Sequence, residues 1–499
     1  MGDPSSARTE DPSDVSGDAD GDASGPTVRP PRSAPSRWPS VAGLLGTLFV
    51  LGGFLVGSRR LTDNSLFTHL ATGRLTLADG SIPTTDPFSF TAAGDPWVVQ
   101  SWLVSTLYGF VERGFGGAGI RVVGGLLVAT TMGLVWRLTR PAVSVAMRAV
   151  ITGLVLVSGL AFFAPRPLLV GLVLMGLVLV LVTEDRDPRW LIPIMWVWTN
   201  SHGSFPLALV ALGTIAVGRW LDGERTREPW LPLGWAVLGT GLAAINPLGP
   251  SLLTFPVNLL NKMDLLSNVV EWKSPDFSVG FSRVFLVLLI VAVLALARRP
   301  TYRAAIPLVV FAAAALLGLR NIPLAALVLV PGMSLGLAGI GRLDGRERGP
   351  VPGVLTAVAV VMTLVILSNQ FARPAFDLSS YPTDGLVWLD QNGQIDPERR
   401  VATEDTTGNV IELVFGTRAR VFFDDRFDMY PQDVADDYLT VHRLKPDWQD
   451  ALADQGIERL LWTQSSPLAV AVRDSPDWHI EYQDEASFVA CRREVAPDC

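Results

Sequence analysis

The stretch PRPLLVGLVLMGLVLVLVTEDRDPRWLIPIMWVWTNSHG, residues 165–203, sets out the architecture of the whole chain. Residues 167–183 carry no charge and are apolar on every face. A helix of that kind belongs in a protein core or a bilayer and not on a solvated surface. A short turn with Glu184, Asp185, Arg186, Asp187 and Arg189 follows. A second apolar run over 190–200 then ends in the polar Asn200, Ser201 and His202. Apolar run, charged turn, apolar run, polar turn is the pattern of a polytopic membrane protein.

The same alternation recurs on either side, with apolar runs at 41–57, 119–138, 145–163, 204–220, 231–246, 284–297, 304–318, 322–340 and 353–369. Crossing a bilayer takes roughly 20 apolar residues, so these runs predict about eleven transmembrane helices between residues 40 and 369. Composition agrees. Of 499 residues 49% are hydrophobic and 18% charged, against about 25% charged in soluble globular chains. That excludes an ordinary cytosolic protein and a disordered chain. A net charge of −8 supplies no basic footprint, so no nucleic-acid partner is expected. Two cysteines, Cys491 and Cys499, exclude a disulfide scaffold and a zinc ribbon, and whether they pair is open.

Residues 1–39 hold almost no large apolar side chains and read as a disordered cytoplasmic tail. Residues 370–499 carry a net charge of −13 and read as a soluble α/β domain. Strands are predicted at 399–405, 420–426 and 457–464, helices at 431–444 and 446–456, and a hairpin over 478–493 turning at Asp484–Glu485. The loops carrying Arg137 and Arg140, Arg186 and Arg189, Arg225 and Arg227, Arg298 and Arg299, and Arg346 and Arg348 are basic, which marks a cytoplasmic side. The outer loops hold fewer basic residues, Arg59, Arg60, Arg74, Arg113, Arg121, Lys262, Lys273 and Arg283, of which Arg59 and Arg60, directly after the first run, count against the assignment. The assignment puts the long first loop, residues 58–118, and the C-terminal domain outside.

That outer side collects the unusual polar residues: Asp63, His69 and Asp86 in the first loop, Arg166, Asn200, His202, Glu271, Arg320 and Asn321 in later turns. Ionisable groups at the ends of spans are costly unless they face protein or a wet cavity, which makes them candidates for a site. The bland readings compete. Asp63 has the placement of a helix cap, Asp86 precedes Pro87 in a turn, and an arginine at a span end can snorkel to headgroups. The Asp424–Arg426 cluster reads as a surface charge group.

The pattern DNSLFTHLATGR (residues 63–74), IPTTDPFSFTAAGDPW (82–97) and QSWL (100–103) resembles the first periplasmic loop of bacterial polytopic glycosyltransferases of the GT-C superfamily. WTNSHG (198–203), INPLG (245–249), EWKSPDF (271–277) and RNIPL (320–324) resemble later landmarks of the same group, so the likeness covers roughly residues 41–369. It implies a multi-pass protein of the bacterial plasma membrane. Its activity would be an inverting transfer of sugar from a polyprenyl-phosphate donor to an extracytoplasmic glycan, lipid or protein acceptor. Asp63 matches the acidic residue that acts there as base or metal ligand, with Asp86 as the second candidate. Asn64 stands where many relatives have a second acid, which leaves a divalent metal an open question. His69, Arg166, Asn200, His202, Glu271, Arg320 and Asn321 would bind substrate, the arginines on phosphate. The rival readings are a non-catalytic carrier or flippase of lipid-linked glycan, and an inactive assembly scaffold.

Overall fold

The structure, a computed structural model, describes residues 38–341 and 343–493. Most of the tail expected to be disordered, and Cys499 of the possible Cys491–Cys499 pair, lie outside the described residues.

Every apolar run is helical, but helix length supports fewer crossings than about eleven. Four described helical segments are long and apolar enough to span a membrane: Trp102–Ala142, Val145–Phe162, Gly280–Arg298 and Pro350–Phe371. The pair Leu319–Val328 and Val330–Gly336, bent by 44°, makes a fifth if it is one broken span. Val41–Gly57, Pro167–Thr183, Pro206–Leu221 and Tyr302–Leu317 are apolar but shorter. Local sequence sets their ends. Proline at the first or second position starts two of them, and Glu184 and Gly318 stop two. The helical core is built on Leu172, Met175, Leu179, Trp198, Phe285 and Leu288, all almost wholly buried. Pro350–Phe371 turns nearly all its apolar side chains outward and buries only Thr363, which suits a lipid-facing helix.

The first outer loop is ordered by an unusually close helix crossing. Its helix Asn64–Asp79 lies back to back on Trp102–Leu138 at Gly73 and Gly109. A Cβ on Gly73 would sit 1.9 Å from the Ser105 carbonyl oxygen. Trp102–Leu138 breaks at Gly116, whose φ of 61° only glycine adopts readily. That break separates the outer half, Trp102 onward, from the span. In Asn64–Asp79 Leu66, Phe67, Leu70 and Ala71 are buried, because the C-terminal helix Asp405–Phe415 covers its other face.

The C-terminal part forms a four-stranded sheet of β1 Val401–Thr403, β2 Arg459–Thr463, β3 Trp478–Gln483 and β4 Ser487–Arg492, in the order β1-β2-β4-β3. β1 and β2 are parallel and the rest antiparallel. Helices Gln432–His442 and Trp448–Asp454 fall where expected. The stretch 420–426 is a correction: it joins no sheet. Its backbone pairs with the first loop instead, Phe90 N–H to Val421 O at 3.0 Å and Val421 N–H to Phe88 O at 2.9 Å. Lys262 Nζ donates to the Tyr430 carbonyl at 3.1 Å, which fastens the 247–283 loop to the same region. Leu265, Leu266 and Trp272 of that loop pack into the C-terminal core.

Candidate active site

Asp63 is the N-cap of Asn64–Asp79, accepting from Leu66 N–H at 3.2 Å. It is also a partner of Arg166. The guanidinium donates to both carboxylate oxygens at 2.7 Å. Arg166 precedes Pro167 and so stands in extended backbone at the start of its helix. From there its other nitrogen pairs with Glu271, which the C-terminal core positions through the adjacent Trp272. Arg320 lies with its guanidinium 4.3 Å from the Trp272 ring centre. It forms no ion pair with a carboxylate among the described residues, while its electrostatic neighbours include Glu271 and Arg166. Asp63, Arg166, Glu271 and Arg320 thus make one charged centre from four separate stretches.

Two imidazoles border it. His69 Nδ1 is 3.0 Å from Ser105 Oγ. His202 Nδ1 accepts from Ser204 N–H at 3.2 Å, so its neutral ring carries the proton on Nε2. Burial pushes His69 down to about 4, with Arg166 adding to the effect. Burial, then Arg320, pushes His202 down to about 3. Both rings are neutral hydrogen-bonding groups at physiological pH.

The other expected residues have local work. Asn200 is fully buried, accepts from Trp102 Nε1 at 2.9 Å and donates to the Trp196 carbonyl at 2.8 Å, which ties the 198–203 turn to the first loop. Asn321 Nδ2 closes its own turn on the Ala314 carbonyl at 2.9 Å. Asp86 is buried, caps Phe88 and Ser89 N–H groups at 3.2 and 3.0 Å, and pairs with Arg426 at 2.8 Å. No contact joins it to Asp63 or Arg166. The expectation that Asp424–Arg426 is a surface cluster is overturned, since Asp424 and Arg426 are buried.

A cavity of about 600 Å³ opens beside the centre. Val56, Leu160, Phe163 and Ile366 give it apolar walls, and Arg59, Arg60, Arg121 and Arg373 stand in its lining with Asp63. Arg121 is 1% exposed and meets the Ser58 and Gln370 carbonyls and the Phe371 ring. No carboxylate pairs with it in the described structure. The pattern of residues did not point to this cluster, although one signal was present. Arg59 and Arg60 are the pair that violated the positive-inside bias.

Asp425 was also unexpected. It accepts from Asn409 Nδ2 at 2.7 Å and from Asn64 Nδ2 at 3.3 Å, next in sequence to Asp63. Burial, then the Asp424 charge, pushes its carboxyl up to about 7. The folded chain therefore holds a proton there between about pH 4 and 7 that the unfolded chain releases. Stability should fall as pH rises through that window. Asp425→Asn should flatten that decline, as read by melting temperature in detergent at several pH values. Parallel pH curves for variant and wild type would count against the shift.

Among the described residues no group of three or more His, Cys, Asp and Glu converges. The position between Asp63 and Glu271 already holds a guanidinium.

No protein-family model and no curated protein matches the sequence. Solved structures do. The Archaeoglobus fulgidus oligosaccharyltransferase tethered to an acceptor peptide shares 10% identity, with 90% of this chain aligned to 74% of that one at a TM-score of 0.50. The arabinofuranosyltransferase AftD from Mycobacteria shares 15% identity over 91% of this chain and 42% of its own, with a TM-score of 0.49. ArnT from Cupriavidus metallidurans, bound to undecaprenyl phosphate, shares 14% over 90% and 97%, with a TM-score of 0.35. At these identities the likeness to the first is one of fold. The shared fold is a helical body that carries a small C-terminal sheet.

Proposed function

We propose that this chain transfers a sugar from a polyprenyl-phosphate donor to an acceptor outside the membrane. The observation that carries the reading is the cavity that Asp63 shares with four arginines and an apolar wall. A lipid phosphate needs both features, a hydrocarbon channel and guanidinium groups that bind its oxygens. A sugar on that phosphate would bring its anomeric carbon toward Asp63.

Asp63 takes the proton of the acceptor hydroxyl as its oxygen attacks the anomeric carbon. The bond from that carbon to the phosphate oxygen breaks, and its electron pair leaves with the phosphate. Single displacement inverts the anomeric configuration. The cap bond and the guanidinium take up the acceptor positions of Asp63 in this structure, so the acceptor hydroxyl displaces one Arg166 contact as it binds. Arg166 and Arg320 supply positive charge as the phosphate departs, and neutral His202 offers an Nε2–H donor. On this reading the first loop and residues 370–499 are extracytoplasmic, and residues 1–39 are cytoplasmic.

The test supplies purified protein with polyprenyl-phosphate sugars labelled in the sugar, together with an envelope extract as acceptor. Label should leave the lipid, and NMR of the product should show the inverted anomer. Lipid that binds and keeps its sugar would favour the carrier reading instead, because a carrier needs no base beside the phosphate.

A further inference from the structure

Two carboxylates that share one neighbouring position normally recruit a cation to it, and here the chain supplies that cation. Arg166 donates to Asp63 at 2.7 Å and pairs with Glu271 through a different nitrogen. Its planar fork fills the place an ion would take. Positive charge is already in supply: Arg166 and Arg320 stand against Asp63 and Glu271, and Arg59, Arg60, Arg121 and Arg373 line the adjoining cavity with Asp63. A dication added among them would stand next to two guanidinium groups and add two more positive charges to the centre, a costly state in a half-buried site. The other ligand types are also turned away. Asp86 is held by Arg426, Asp425 is held by Asn409 and Asn64, and His202, whose Nδ1 accepts from Ser204 N–H, carries its proton on Nε2 and so has no free lone pair for an ion in that tautomer.

We infer that Arg166 is the resident cation of this centre, standing between Asp63 and Glu271 in place of a divalent metal ion. The catalytic half of this inference, that the guanidinium does electrostatic work on a departing phosphate, rests on the proposed transfer. The binding half does not, and it can be measured without turnover.

Mn2+ is the probe, followed by electron paramagnetic resonance on detergent-solubilised full-length protein after treatment with a chelator. Wild type should leave the free-ion spectrum of added Mn2+ undiminished at tens of micromolar. Arg166→Ala, which leaves Asp63 and Glu271 facing an emptied position, should bind Mn2+ and reduce that signal. The double variant Arg166→Ala/Glu271→Gln should lose the gain. Stoichiometric Mn2+ uptake by wild type that disappears in Asp63→Asn would overturn the inference, and so would equal binding by wild type and folded Arg166→Ala. If Arg166→Ala fails to fold, the wild-type measurement alone decides. Labelled donor in the same preparation separates the two claims. Absence of sugar transfer refutes the proposed function and leaves the Mn2+ result standing, whereas transfer abolished by chelator and restored by Mn2+ refutes the resident-cation role.

Discussion

Asp63→Asn should lower sugar transfer by about 10²–10⁴-fold, the usual worth of a positioned general base, in protein that remains folded. The geometry makes this a sharp substitution. Asn is nearly as good a helix cap as Asp, so the bond from Leu66 N–H survives in the variant. Arg166 keeps Glu271 as its counter-ion, so the guanidinium is not left buried and alone. What disappears is the negative charge and the basic oxygen in the cavity wall. Rates measured at saturating donor, with melting temperature as the control for folding, separate the roles. A variant with wild-type turnover would reduce Asp63 to a cap and an anchor for Arg166. Asp425, which Asn64 holds one residue away in sequence, would then be the carboxyl to test next.

The helical body was legible because its signals are local. Runs of apolar residues bounded by Arg, Pro and Gly mark helices whether or not their partners are known, and each run from residue 41 to 369 is helical. Their number of crossings is less plain. A run such as Pro167–Thr183 is a helix of 17 residues, at the short end of what crosses a bilayer. Asp63, Arg166, Glu271 and Arg320 could be named because ionisable groups stand out in an apolar chain. Their mutual pairing could not, since no local rule says which arginine meets which carboxylate across a hundred residues. The C-terminal contribution was illegible for the same reason. The 420–426 stretch has the composition of a buried strand, but its partner is the first loop and not the sheet. Once that pairing is made, Asp424, Asp425 and Arg426 must lie inside a joint instead of on a surface. Reading residues 370–499 as a soluble α/β domain gave no sign that this stretch packs against the first loop.

That joint predicts the largest loss of stability in the molecule. Arg426 is buried with three carboxylates around it. Nε and one terminal nitrogen reach Asp424 at 2.9 and 2.6 Å, the other terminal nitrogen reaches Asp86 at 2.8 Å, and Glu412 lies at 3.5 Å. The Trp97 ring centre is 4.5 Å from the guanidinium carbon. Tyr430 O–H adds a bond to Asp424 at 2.6 Å, and Glu412 bonds Thr68 of the first-loop helix. Burial, then the Asp424 charge, pushes the Glu412 carboxyl well up, which lowers the negative charge that Arg426 has to balance. Replacing a whole buried ion pair by apolar groups is often harmless, but removing one partner leaves a charge with no compensation and costs about 3–5 kcal/mol. Arg426→Met is the second kind of change: it keeps length and removes the one cation that pairs with these acids among the described residues. The expected result is a large fall in melting temperature, with protease cleavage appearing first in the first loop and in the stretch around residue 420, the two faces the ion pairs join. Adding Asp86→Asn and Asp424→Asn to Arg426→Met should recover part of the loss, because the stranded charges go with the cation. If Arg426→Met melts like wild type, the cluster is held by its aromatic and backbone contacts, and the joint between the first loop and the C-terminal domain does not depend on its charges.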